Sequence, residues 1–72
     1  MKITQRMKNE LKTLRYVNTR NYMYYLDINY YDGSAYLRRI PMQYIIHQST
    51  ALIDGWEIIM DVDLNGDKWE VR

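Results

Sequence analysis

Two hydrophobic periods divide the chain. Near the start, Ile3, Met7, Leu11 and Leu14 recur at intervals of four, four and three, while Lys2, Arg6, Lys8, Lys12 and Arg15 fall off that stripe. The spacing predicts an amphipathic helix over residues 3–16. The run Asn18-Thr19-Arg20-Asn21 then interrupts the pattern with side chains that compete for backbone hydrogen bonds.

From Tyr22 to Tyr31 the chain is rich in aromatic and branched residues, and Asp32-Gly33, which tolerates a tight hairpin, follows. Residues 35–40 are the expected returning strand. A two-residue loop pairs Ile28 with Leu37, and a three-residue loop pairs Leu26 with Ile40. Asp27 meets Arg38 in the first register and Arg39 in the second, a charge pair worth at most about 1 kcal/mol. Tyr22, Tyr24, Leu26, Ile28 and Tyr30 share one face. Met23, Tyr25, Asp27, Asn29 and Tyr31 share the other, so either choice of buried face leaves tyrosines outside.

Pro41 suits the first turn of a helix, and Met42, Ile45, Ile46, Ser49, Leu52 and Ile53 repeat at helical spacing before Gly55. This predicts a second helix over 41–53; continuation of the strand through Tyr44-Ile45-Ile46 competes with it. The last segment reads WEIIMDVDL, Asn65-Gly66, DKWEVR. A two-residue Asn-Gly turn pairs Leu64 with Asp67, Asp63 with Lys68, Val62 with Trp69, Asp61 with Glu70 and Met60 with Val71. One face then holds Trp56, Ile58, Met60, Val62, Trp69 and Val71. The other holds Glu57, Ile59, Asp61, Asp63, Lys68, Glu70 and Arg72 and is wet and mainly acidic. The expected fold is a single α+β domain over residues 1–72 in αββαββ order, with helices packed on a mostly antiparallel four-stranded sheet.

Composition narrows the function classes. Seventy-two residues make one domain at most, too few for a cleft between two lobes. Hydrophobic residues are 47% of the chain, and eight Tyr and two Trp replace a complete lack of Phe, which is ample for a core. With no Cys, disulfides, thiolate metal sites and cysteine nucleophiles are excluded. No apolar run reaches membrane-spanning length and the first residues lack a signal-peptide block, so a cytoplasmic location is expected. Asn, Ile, Lys and Tyr supply 25 residues against 12 for Gly, Ala, Arg and Pro, a bias that fits a low-GC bacterium or its phage.

Candidate chemistry is thin. Asp61-x-Asp63-x-Asn65-Gly66-Asp67 resembles the opening of a calcium loop, but the twelfth position, where a bidentate glutamate belongs, is Arg72 and the flanks read as strands. His47 is the only imidazole, and no motif marks a nucleophile beside it. Asp61, Asp63 and Glu70 project from a wet sheet face, whereas a catalytic carboxylate pair needs a cleft and a raised pKa. No catalytic residue, metal or cofactor is expected, and the chain reads as a non-enzyme.

Charge and surface chemistry carry more. Residues 1–20 hold six bases and one acid, and residues 54–72 hold six acids and two bases. The expected role is a small protein–protein interaction module, an inhibitor or adaptor encoded by a phage or mobile element. Its expected docking residues are Met23, Tyr25 and Tyr31 flanked by Arg38 or Arg39, together with the acidic face of Glu57, Asp61, Asp63 and Glu70. The alternative is nucleic-acid binding through Lys8, Lys12 and Arg15 on the basic helix and a Tyr/Arg sheet face. The opposite charges of the two ends also leave a homodimer open.

Overall fold

A computed structural model describes residues 2–47 and 56–72. The first helix, α1, runs Gln5–Leu14. Its start is fixed by Thr4, whose side chain accepts the Met7 N–H at 3.2 Å and satisfies one of the orphan donors of the first turn. It stops at Arg15, where φ is 73° and the backbone N–H returns to the Leu11 carbonyl at 2.9 Å. That left-handed cap ends the helix before residue 16 and turns the chain into a short strand, β1 (Tyr16–Asn18). The predicted span 3–16 is therefore too long at both ends.

Four more strands follow: β2 (Tyr22–Ile28), β3 (Ser34–Pro41), β4 (Glu57–Asp63) and β5 (Lys68–Val71). They form one antiparallel sheet in the order β1-β2-β3-β4-β5, so each strand lies beside its neighbour in sequence. The α+β class holds, with α1 packed on a sheet of five strands instead of four. The additional strand is β1. Three residues are too few to display a period of two, and Tyr16 falls within the reach of the helical stripe.

The β2–β3 register is neither of the two expected. Leu26 faces Leu37 and Ile28 faces Ala35, because the turn takes four residues, Tyr30 to Gly33. Its geometry is determined by side chains: Asn29 accepts the Tyr31 N–H at 3.0 Å, Asp32 accepts the Ser34 N–H at 2.9 Å, and Gly33 supplies φ of 76°. Asp27 lies opposite Tyr36, and its carboxylate reaches Arg38 diagonally at 3.1 Å.

For β4–β5 the predicted register is observed from Met60–Val71 to Asp63–Lys68. The turn differs. It too takes four residues, Leu64 to Asp67, with the positive φ (49°) on Asp67 and the Asn65 N–H held by the Asp63 carboxylate at 3.0 Å. Both hairpins thus use one device, an Asn or Asp before the loop and a left-handed residue at its end.

Between β3 and β4 the pairing slips: Leu37 faces Met60, but Arg38 faces Ile58. Ile59 is the extra residue of a bulge, which reverses the alternation for everything before it on β4. Ile59 therefore packs against the core, while Ile58 and Glu57 exchange the sides expected of them.

Leu11 of α1 belongs to one buried cluster with Val17, Tyr24, Leu26, Ala35, Leu37, Met60 and Val62, with Ile3, Met7 and Trp69 at the margin. Complete burial of Leu11, Leu26 and Leu37 contributes about 1.5–3 kcal/mol each. Leu14, the last position of the helical stripe and the last residue of α1, is 58% exposed. On the opposite side Ile40, the partner of Met23, is also fully buried.

Pro41 closes β3 rather than opening a helix, and α2 runs Met42–His47 with the Met42 N–H bound to the Asn21 carbonyl at 2.8 Å. The remainder of the predicted helix 41–53, and Gly55 as its stop, lie outside the described residues. No helix among the described residues is long and apolar enough to cross a membrane.

Candidate functional site: the face of the sheet opposite α1

α1 covers the face that carries Leu26 and Leu37, so alternation places Met23, Tyr25 and Asp27 of β2 on the other. Register extends that face sideways. Tyr16 of β1 lies directly opposite Tyr25 on one side, and Arg38 of β3 lies opposite it on the other. The two tyrosines are 46% and 41% exposed. Trp56 joins from the approach to β4, its ring meeting that of Tyr25 edge to face at 6.3 Å between centroids. The result is an aromatic row running across strands, with Arg38 held beside it by Asp27.

Farther across the same face the charges interleave. Arg72 lies over the Tyr36 ring at 5.7 Å and 3.8 Å from Asp61, and Lys68 is paired with Glu70 at 3.0 Å. The Glu70 carboxylate holds the Lys68 ammonium proton more tightly, raising its pKa. Asp61, Asp63 and Glu70 do share this face, but two bases neutralise much of it. Both bases are expected here, and the departure of Glu57 leaves the face less acidic than expected.

Three of the expected docking residues lie elsewhere. Arg39 falls on the helix side of β3, stacked over the Tyr22 ring at 4.3 Å and bonded to Glu57 at 2.5 Å. The Glu57 carboxylate raises the Arg39 pKa. The bulge at Ile59 is what brings Glu57 to that side, away from Asp61 and Asp63. Tyr31 is fully exposed at the tip of the β2–β3 turn, because the four-residue loop removes it from the strand. It is a separate feature beyond the end of β2. Met23, Tyr25 and Arg38 are the expected residues that the fold brings together at the aromatic row, with Asp61, Asp63 and Glu70 farther across the same face.

The basic helix is spent largely on internal contacts. Lys8 lies over the Trp69 ring at 5.8 Å, and Lys12 meets the Asp67 carboxylate at 2.7 Å. Arg15 donates to the Lys12 carbonyl at 2.8 Å and to the Tyr30 hydroxyl at 3.2 Å. The charge separation along the sequence thus closes on itself, fastening α1 to the second hairpin. Asp67 also accepts from the Trp69 indole at 2.9 Å, and with Lys12 this lowers its pKa.

The calcium-like residues have other employment: Asp63 caps its turn and Asp67 faces the helix. Among the described residues no group of three or more His, Cys, Asp and Glu is disposed to hold a metal ion. His47 is the last residue of α2.

Sequence reasoning misses Tyr16 and Trp56. The helical period absorbs Tyr16, and strict alternation along β4 puts Trp56 on the buried side until the bulge reverses it. A cross-strand position opposite Tyr25 is the available signal for Tyr16, once β1 is recognised. No protein family, curated protein or solved structure matches the chain.

Proposed function

We propose that this chain is a non-catalytic interaction module that works by laying the Tyr16–Tyr25 surface, on the face of its sheet opposite α1, against another protein, as an inhibitor or adaptor does. One observation carries the reading: Tyr16 and Tyr25 stand side by side, each more than two-fifths exposed, on a surface that also presents Trp56, Met23 and Arg38. Tyr, Trp, Met and Arg are the residues enriched in protein interfaces, since each offers large contact area. The Arg38–Asp27 and Arg72–Asp61 pairs form a polar surround that can fix orientation at little desolvation cost while they stay at the rim.

Nucleic-acid binding draws less support. Its three helix cations, Lys8, Lys12 and Arg15, already have partners within the chain, and the sheet face that would stack bases also carries Asp61, Asp63 and Glu70. Affinity capture from a lysate, with and without nuclease, separates the two. A protein retained after nuclease, lost with Tyr25→Ala and kept when Lys8, Lys12 and Arg15 are all changed to Gln, is the expected result. Capture that disappears with nuclease or with the triple Gln variant contradicts the reading.

A further inference from the structure

β5 is an outer strand of the sheet, and its outer edge, unpaired among the described residues, has a self-complementary charge pattern. Arg72 donates its N–H to the Ile59 carbonyl at 3.0 Å, so bonded positions on β5 are the even-numbered ones. The N–H and C=O groups of Trp69 and Val71 therefore point away from β4, toward the edge. Lys68 and Glu70 flank Trp69 on one face, 69% and 61% exposed.

We infer that β5 is a homodimer contact in which two copies pair antiparallel about a two-fold axis at Trp69, setting Lys68 of each opposite Glu70 of the other and joining the two sheets. Charge disfavours two of the other registers. An axis at Glu70 sets it against its own copy and Lys68 against Arg72, and an axis at Lys68 sets that lysine against itself. An axis at Val71 also sets opposite charges together, Glu70 against Arg72, but gives Lys68 no cross-strand partner among the described residues, so the axis at Trp69 is the one that uses both exposed charges of β5. With the axis at Trp69, each Lys68 lies between its own Glu70, 3.0 Å away, and the Glu70 of the second copy, so four charges alternate around the axis. A lysine on an edge strand ordinarily discourages pairing. Here it meets an opposite charge.

The dimer joins the sheets edge to edge and does not use the Tyr16–Tyr25 surface, so it goes beyond the proposed function and stands or falls independently of it. Sedimentation of the whole chain from micromolar to millimolar concentration provides the test. The expected result is a reversible dimer whose dissociation constant rises about tenfold or more in Lys68→Glu and in Glu70→Lys, since each change makes two cross-strand pairs repulsive. Mixing the two variants restores association, because one chain then carries acids at both positions and the other carries bases at both. A wild-type chain that stays monomeric at millimolar concentration overturns the inference. So does a dimer indifferent to both substitutions, a mixture that fails to associate, or a dimer lost in Tyr25→Ala.

Discussion

Tyr25 and Trp56 meet edge to face on the side of the sheet opposite α1, with their planes 65° apart, although they lie far apart in the chain. The contact exists because the bulge at Ile59 transfers Trp56 from the helix side to the opposite side. It is a surface contact. Replacing Tyr25 with Ala is expected to cost only about 1 kcal/mol of stability and to shift Trp56 emission toward the red, measured by denaturant titration and fluorescence. A loss of several kcal/mol would make Tyr25 part of the core.

The core proper lies under α1. Leu37 is fully buried and faces Leu26, also almost fully buried, so Leu37→Ala opens a cavity between two strands and the helix. The expected cost is about 2–5 kcal/mol. Against a total stability of roughly 4–11 kcal/mol for a chain of this length, much of the population should unfold on mild heating, as circular dichroism would report.

Lys12 and Asp67 fasten α1 to the β4–β5 turn, and the sign of their pH dependence follows from the lowered Asp67 pKa. A carboxylate depressed by a hydrogen bond from Lys12 and another from Trp69 stabilises the fold above its ordinary pKa of about 3.9, and that contribution is lost as pH falls through the depressed value. Asp67→Asn should therefore lower Tm at neutral pH and make no difference once the wild-type carboxyl is protonated. A Tm difference that persists unchanged into strong acid would contradict the clamp.

Gly33 holds φ of 76° at the end of the first hairpin loop, with open space where a side chain would stand. Strain, and not collision, is thus the whole penalty of Gly33→Ala, about 1–2 kcal/mol by equilibrium unfolding. Replacement by Asn, which visits the left-handed region more readily, should cost less.

Much of this fold can be read from local patterns. The stripe Ile3, Met7, Leu11 specifies α1, and the alternation Met60 to Trp69 gives the second hairpin its correct register even though the left-handed residue is Asp67 and not the Asn-Gly pair. What escapes the sequence depends on distant partners. Whether a strand carries a bulge is decided by the strand beside it, so the side taken by Trp56 and Glu57 is invisible until β3 and β4 are aligned. Hairpin register fails in the first ribbon because side-chain bonds from Asn29 and Asp32 make four residues the stable loop length. The candidate site inherits both errors: parity alone finds Tyr25 and Met23, but it assigns Arg39, Glu57 and Tyr31 to a face they leave.

Photo-crosslinking tests the working surface most directly. A photoreactive phenylalanine analogue is placed at Tyr25, and in a second chain at Thr13, which is exposed on α1. In nuclease-treated lysate the chain labelled at 25 should form a covalent adduct with one protein species and the chain labelled at 13 should not. Adducts only from position 13, or from neither position while capture itself persists, would mean that the partner is gripped elsewhere.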